Sequence, residues 1–158
     1  MPSNRATYYE KADIVSDAVV AAFPKASEEI KLAASCFAVG MSTACVFHAM
    51  RAAEIGVHAL GDDLKISLPV PIEEAGWQEI LNAIVPKIRD IENLPRGTPG
   101  RDENLLFYDE AAAQFRFFKN GWRIRVAHAR ASYTEPQAKE VIDHVRSFFE
   151  TLAPRLKE

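Results

Sequence analysis

The sequence predicts an all-α fold: an antiparallel helical bundle of four core helices plus one or two short or peripheral helices. Three observations lead there. Glycine is scarce, with seven among 158 residues, and alternating strand-like runs are scarce as well. Apolar residues recur at three- and four-residue spacing instead. Capping side chains, prolines and glycines then mark where each helical stretch starts and stops. The nearest strand-like run, Leu68-Pro-Val-Pro-Ile72, carries two prolines that cannot donate to a ladder, and it reads as an extended connector.

A first helix is expected over 8–23, stopped by Pro24. Ser27-Glu28-Glu29 reads as the start of a second, a capping side chain followed by acids that suit the positive end of the dipole. It runs to about Val39 and breaks at Gly40. Ser42 or Thr43 then caps a third helix through Leu60, ending at Gly61, with Val46, Met50, Ala53, Val57 and Leu60 on one buried face. Its small residues Ala44, Ala49, Ala52, Ala53 and Gly56 permit close helix contact. After a polar, proline-bearing linker over 61–75, a fourth helix covers 77–91, kinked or interrupted near Pro86.

Leu94-Pro-Arg-Gly-Thr-Pro-Gly100 is the plainest loop of the chain. Asp102 or Asn104 opens a long helix carrying Phe107, Ala111, Phe115, Phe118, Trp122 and Val126. Burying each large aromatic stabilises by roughly 1.5–3 kcal/mol, so this helix belongs at the centre. The last helix has the clearest start. Thr134 offers a capping hydroxyl, Pro136 an early proline, and Gln137 stands at the capping-box position, ahead of a core face of Val141, Val145, Phe148, Phe149 and Leu152.

Composition narrows the function. At 48% apolar and 26% charged, the chain fills the core of a single domain over 1–158, and disorder is excluded. That size needs no metal or disulfide to hold it. A net charge of −3 carries no signature of general nucleic-acid binding, so any RNA contact requires a local basic patch. Cys36 and Cys45 lie in small-residue apolar runs and are expected as buried free thiols of a reducing compartment. The first residues lack the build of a signal peptide, and no window reaches roughly 18 uninterrupted apolar residues. A cytoplasmic protein without membrane contact is the expectation.

One stretch stands apart chemically: Arg123-Ile-Arg-Val-Ala-His128. With Ala113-Gln-Phe-Arg-Phe-Phe-Lys-Asn-Gly-Trp-Arg123 before it, and with Cys45-Val-Phe-His-Ala-Met-Arg-Ala-Ala-Glu54, it resembles the HEPN superfamily of bacterial helical-bundle proteins. The resemblance covers roughly 27–60 and 103–152. The family signature is an arginine followed, four to six residues on, by a histidine; Arg123 and His128 fit it. The position after the arginine, mostly polar in active members, is Ile124 here.

The resemblance implies a metal-independent endoribonuclease, often a toxin or defence effector, acting as a homodimer without cofactor and with a cognate antitoxin protein as a further partner. The alternative it leaves open is an inactive relative that binds RNA or a nucleotide, or another protein. In the enzyme, the 2′-hydroxyl of RNA attacks the adjacent phosphorus. A histidine moves the proton and an arginine fork holds the phosphate oxygens as charge builds. His128 is then the acid/base and Arg123 the clamp, with Arg125 or Arg130 as auxiliary cation. On a regular helix Arg123 and His128 point about 140° apart. They converge only if the helix ends or distorts, or if two chains bring their motifs together across a two-fold axis. Arg125 and His128 share a face.

Other residues admit two readings each. His48, Arg51, Glu54 and His58 follow one side of the third helix; an Arg51–Glu54 polar pair supporting the active surface is expected. The ten-residue gap between His48 and His58 does not suit a helical metal grip, and no metal is expected. Gln114, with Glu110, either extends a polar groove or belongs to a solvated face. Tyr133 either stacks a base or staples the start of the last helix. No phosphate-cradling glycine loop, zinc set, nucleophile elbow or dinucleotide fingerprint is present.

Overall fold

The computed structural model describes residues 3–9, 13–120 and 132–158, and every regular element among them is a helix. In chain order these are α1 (Ser3–Ala6), α2 (Asp17–Ala22), α3 (Pro24–Ala38), α4 (Ser42–Asp63), α5 (Trp77–Glu92), α6 (Arg101–Phe118) and α7 (Glu135–Leu152). Helices α3, α4, α6 and α7 form the bundle, and α5 lies against α6. The pairs α3–α7 and α5–α6 run antiparallel: Phe23, just before α3, meets Phe149 near the end of α7, and Trp77 at the start of α5 meets Phe115 near the end of α6.

The parallel pair α4 and α7 also touches closely, from Cys45 beside Ala138 to Gly56 beside Phe148 and Leu152. Small residues explain the approach. A Cβ at Gly56 would stand 2.7 Å from Phe148 Cε1, while Cys45, Ala49, Ala52 and Ala53 are fully buried. The stripe expected from spacing, Val46, Met50, Ala53, Val57 and Leu60, is buried throughout. The counterpart on α7 is buried as well, and the capping box is formed: Gln137 N donates to Thr134 Oγ1 at 3.4 Å and Thr134 N to Gln137 Oε1 at 3.0 Å.

The first helix is not the continuous one expected over 8–23. Tyr8 and Tyr9 lie in a turn, and α2 starts only after Ser16, whose hydroxyl caps Val19 N. Ser16 is held in turn by Glu150, which accepts its amide at 2.9 Å and its hydroxyl at 2.7 Å. The second helix starts three residues before Ser27. Pro24 opens α3, where a proline loses nothing, since first-turn amides have no partner inside the helix. The cap comes from far away: Glu158 accepts Lys25 N at 2.7 Å and Ala26 N at 3.4 Å. Ser27 is then one turn inside and buried.

Gly40 turns the chain between α3 and α4 at φ 82°, where a side chain would be strained. Gly61 does not end α4, which continues to Asp63. Its missing Cβ makes room for the connector, since Ile72 Cδ1 would lie 2.7 Å from it. Neither Ser42 nor Thr43 caps α4; the cap position falls to Met41. The proline stretch 68–72 forms no strand, and α5 runs through Pro86, which lies on the exposed side. Helix α6 begins at Arg101, after Gly100 at φ 76°, earlier than either expected cap. Phe107, Ala111, Phe115 and Phe118 face the core, while Trp122 and Val126 lie outside the described residues.

Both cysteines are free. Cys45 is buried, and burial pushes its thiol up to about 12, whereas Cys36 is half-buried and its thiol is raised less far. Because the thiolate is the reactive form, iodoacetamide at pH 8 should label Cys36 first and leave Cys45 untouched until denaturant is added. Equal labelling rates by mass spectrometry would contradict the packing of α4 on α7. Among the described residues no helix is long and apolar enough to cross a membrane.

Candidate functional site

Arg123, Arg125, His128 and Arg130 lie outside the described residues. The described chain brackets them with α6, ending at Phe118, and α7, beginning at Glu135. Both ends of this connection are fastened. Phe118 is fully buried and packs edge-on against Phe148 at 5.5 Å, and Phe117 stacks on His144 at 4.2 Å. On the other side Tyr133 N donates to Thr43 Oγ1 at 3.2 Å. Thr43 therefore anchors the far end of the connection instead of capping α4.

Of the two readings for Tyr133, its position fits the staple. It precedes the cap Thr134, is 8% exposed, and belongs with Ala138 to the core cluster. A ring so covered has no open face for a base. Gln114 donates to Thr151 Oγ1 at 3.1 Å, and Thr151 donates to Glu110 Oε1 at 3.3 Å. This bridge between α6 and α7 stands at one end of an open surface groove lined by Glu103, Leu106, Phe107, Glu110, Thr151 and Arg155.

The expected Arg51–Glu54 pair is replaced by two other contacts. Glu54 Oε1 accepts Trp77 Nε1–H at 3.1 Å, which ties α4 to α5. Arg51 Nε donates to Glu29 Oε1 at 2.8 Å, and the other oxygen of the same carboxylate lies 2.7 Å from His48 Nδ1. Glu29 is on α3 and its side chain is 15% exposed; those of His48 and Arg51, on α4, are 27% and 57% exposed. Phe47 completes the group. It is 48% exposed, its ring centroid lies 5.7 Å from that of His48, and Arg51 Cζ is 5.9 Å from its centroid.

The histidine and the arginine sit three apart on one helix face, a spacing legible in the sequence. Glu29 was not legible as their partner, because only the α3–α4 packing brings it across. A carboxylate on Nδ1 fixes the imidazole: in the neutral ring the proton sits on Nδ1 and Nε2 is left as the acceptor. Arg51, with Nε engaged, still presents both terminal amino groups of its fork.

Among the described residues no three His, Cys, Asp or Glu side chains converge as a metal site. His48 contacts Glu29 and Glu54 contacts Trp77, while His58 Nε2 is buried without a hydrogen-bond partner among the described residues. Comparison with family models, with curated proteins and with solved structures gives no match for this chain.

Proposed function

We propose that the chain is a metal-independent endoribonuclease of the HEPN type, working as a homodimer whose Arg123-x4-His128 motifs meet in one cleft. The observation that carries the reading is the position of the motif, in the connection between the antiparallel helices α6 and α7 of an all-helical bundle. His128 moves the proton, Arg123 holds the phosphate oxygens, and Arg125 or Arg130 adds positive charge. The shared cleft answers the helical geometry, because residues five apart on one helix face apart while two chains related by a two-fold axis supply both groups to one phosphodiester. A toxin or defence role, with an antitoxin protein as partner, follows from the same reading.

Purified protein should cut single-stranded or transfer RNA in excess EDTA and leave 2′,3′-cyclic phosphate ends, the product of attack by the neighbouring hydroxyl. Intact RNA after prolonged incubation with folded dimer would overturn the enzyme reading. It would favour the second one, an RNA-binding module without turnover, to which Ile124 beside Arg123 already points.

A further inference from the structure

We infer that Glu29, Phe47, His48 and Arg51 form a subsite for one nucleotide of single-stranded RNA, with the ribose 2′-hydroxyl donating to His48 Nε2. The subsite rests on the reading of the chain as an RNA-acting protein, and it assigns that function a residue set apart from Arg123 and His128.

The geometry matches three parts of a ribonucleotide. Glu29 lies 2.7 Å from His48 Nδ1, so the neutral ring presents an acceptor at Nε2, and of the sugar hydroxyls within an RNA strand only the 2′-hydroxyl offers it a proton. The same carboxylate holds Arg51 by Nε at 2.8 Å and leaves its two terminal amino groups to grip the adjacent phosphate. Phe47, 48% exposed beside both, offers an aromatic face to the base. Thr43, Phe47 and Arg51 follow one another at four-residue spacing along the exposed side of α4. Thr43 receives the amide of Tyr133, so this stripe begins beside the residue that leads into the cap of α7.

The charge balance separates this subsite from a generic basic patch. Glu29 offsets the charge of Arg51, and the chain as a whole carries −3, so non-specific attraction for polyanions is small. Discrimination then falls on the hydroxyl, and RNA is preferred over DNA of the same sequence.

The test uses the full chain carrying His128→Ala, which keeps the probe uncut, with a fluorescein-labelled single-stranded oligoribonucleotide and its deoxy counterpart followed by anisotropy. RNA should bind about 3–10-fold tighter than DNA, the range of one neutral hydrogen bond. His48→Ala should bring the RNA Kd to that of DNA and leave DNA binding unchanged. Arg51→Ala should weaken both and lower the salt slope by about 0.7, the single-strand value for one phosphate, and Arg51→Lys should restore the slope. Phe47→Ala should weaken both roughly tenfold. All these side chains are at least partly exposed, so unchanged melting temperatures confirm that the variants are folded.

Equal affinity for RNA and DNA, or a His48→Ala variant that loses both in parallel, would overturn the subsite. A Phe47→Ala variant that changes sedimentation but not binding would also overturn it, by making this face an interface between copies of the chain. Failure of the cleavage assay together with a preserved His48-dependent RNA preference would remove the enzyme reading and leave the subsite standing.

Discussion

Replacing Phe148 by alanine should lower the free energy of unfolding by about 3–5 kcal/mol, the range for removing a large aromatic from a close-packed core. Phe148 is fully buried on α7 and meets two other helices, α4 and α6. It meets Phe118 of α6 edge-on at 5.5 Å and Phe149 at 5.7 Å, and it fills the space that Gly56 of α4 leaves open. Removing the ring therefore empties the point where three helices converge. The lining cannot collapse into it cheaply, because the opposite wall is helix backbone at Gly56. For a chain of this size the loss corresponds to a fall of roughly 6–20 °C in melting temperature. Chemical denaturation gives the direct measure, and a change below about 1 kcal/mol would mean that Phe148 does not join the helices as described.

Substituting His128 by alanine should reduce RNA cleavage by about 10²–10⁴-fold, the usual contribution of a positioned acid/base group. The fold should survive, because α7 carries its own start in the Thr134–Gln137 capping box and the connection is secured by Tyr133 on Thr43. Circular dichroism and the melting temperature check that separation of function from stability. A composite cleft adds a sharper expectation. Mixing inactive Arg123→Ala with inactive His128→Ala should restore part of the activity, since a heterodimer contains one cleft with both residues intact. Undiminished cleavage by His128→Ala would remove its assigned role, and a mixture that stays inactive would place both groups of each site on one chain.

Much of the bundle was legible in the chain because helical periodicity and capping are local. The stripe from Val46 to Leu60, the aromatic face of α6 up to Phe118 and the whole of α7 follow from spacing of three and four. The misreadings came from distant partners. Ser27 looks like a cap, yet α3 starts at Pro24 because Glu158 supplies its carboxylate. Gly61 looks like a stop, yet it is a gap filled by Ile66 and Ile72. Within the candidate site, the shared face of His48 and Arg51 was readable, but their common acceptor was not. Glu29 precedes His48 by nineteen residues and meets it only because α3 folds back on α4. Arg51 and Glu54, one turn apart, were instead claimed by Glu29 and Trp77, since a partner on a packed neighbouring helix competes directly with one on the same helix.

The supports that reach back from α7 and the residues after it also govern the order in which the chain assembles. Arg146 donates to Ile14 O at 2.6 Å, Glu150 secures Ser16, and Glu158 covers the first amides of α3. A polypeptide leaving the ribosome exposes 14–26 long before any of these three side chains has been synthesised. During translation that stretch must wait, its amides on water, while the α3–α4 hairpin forms from neighbouring residues. Residues 14–26 are thus completed by side chains at 146–158, so the later segment sets the moment at which the earlier one becomes ordered.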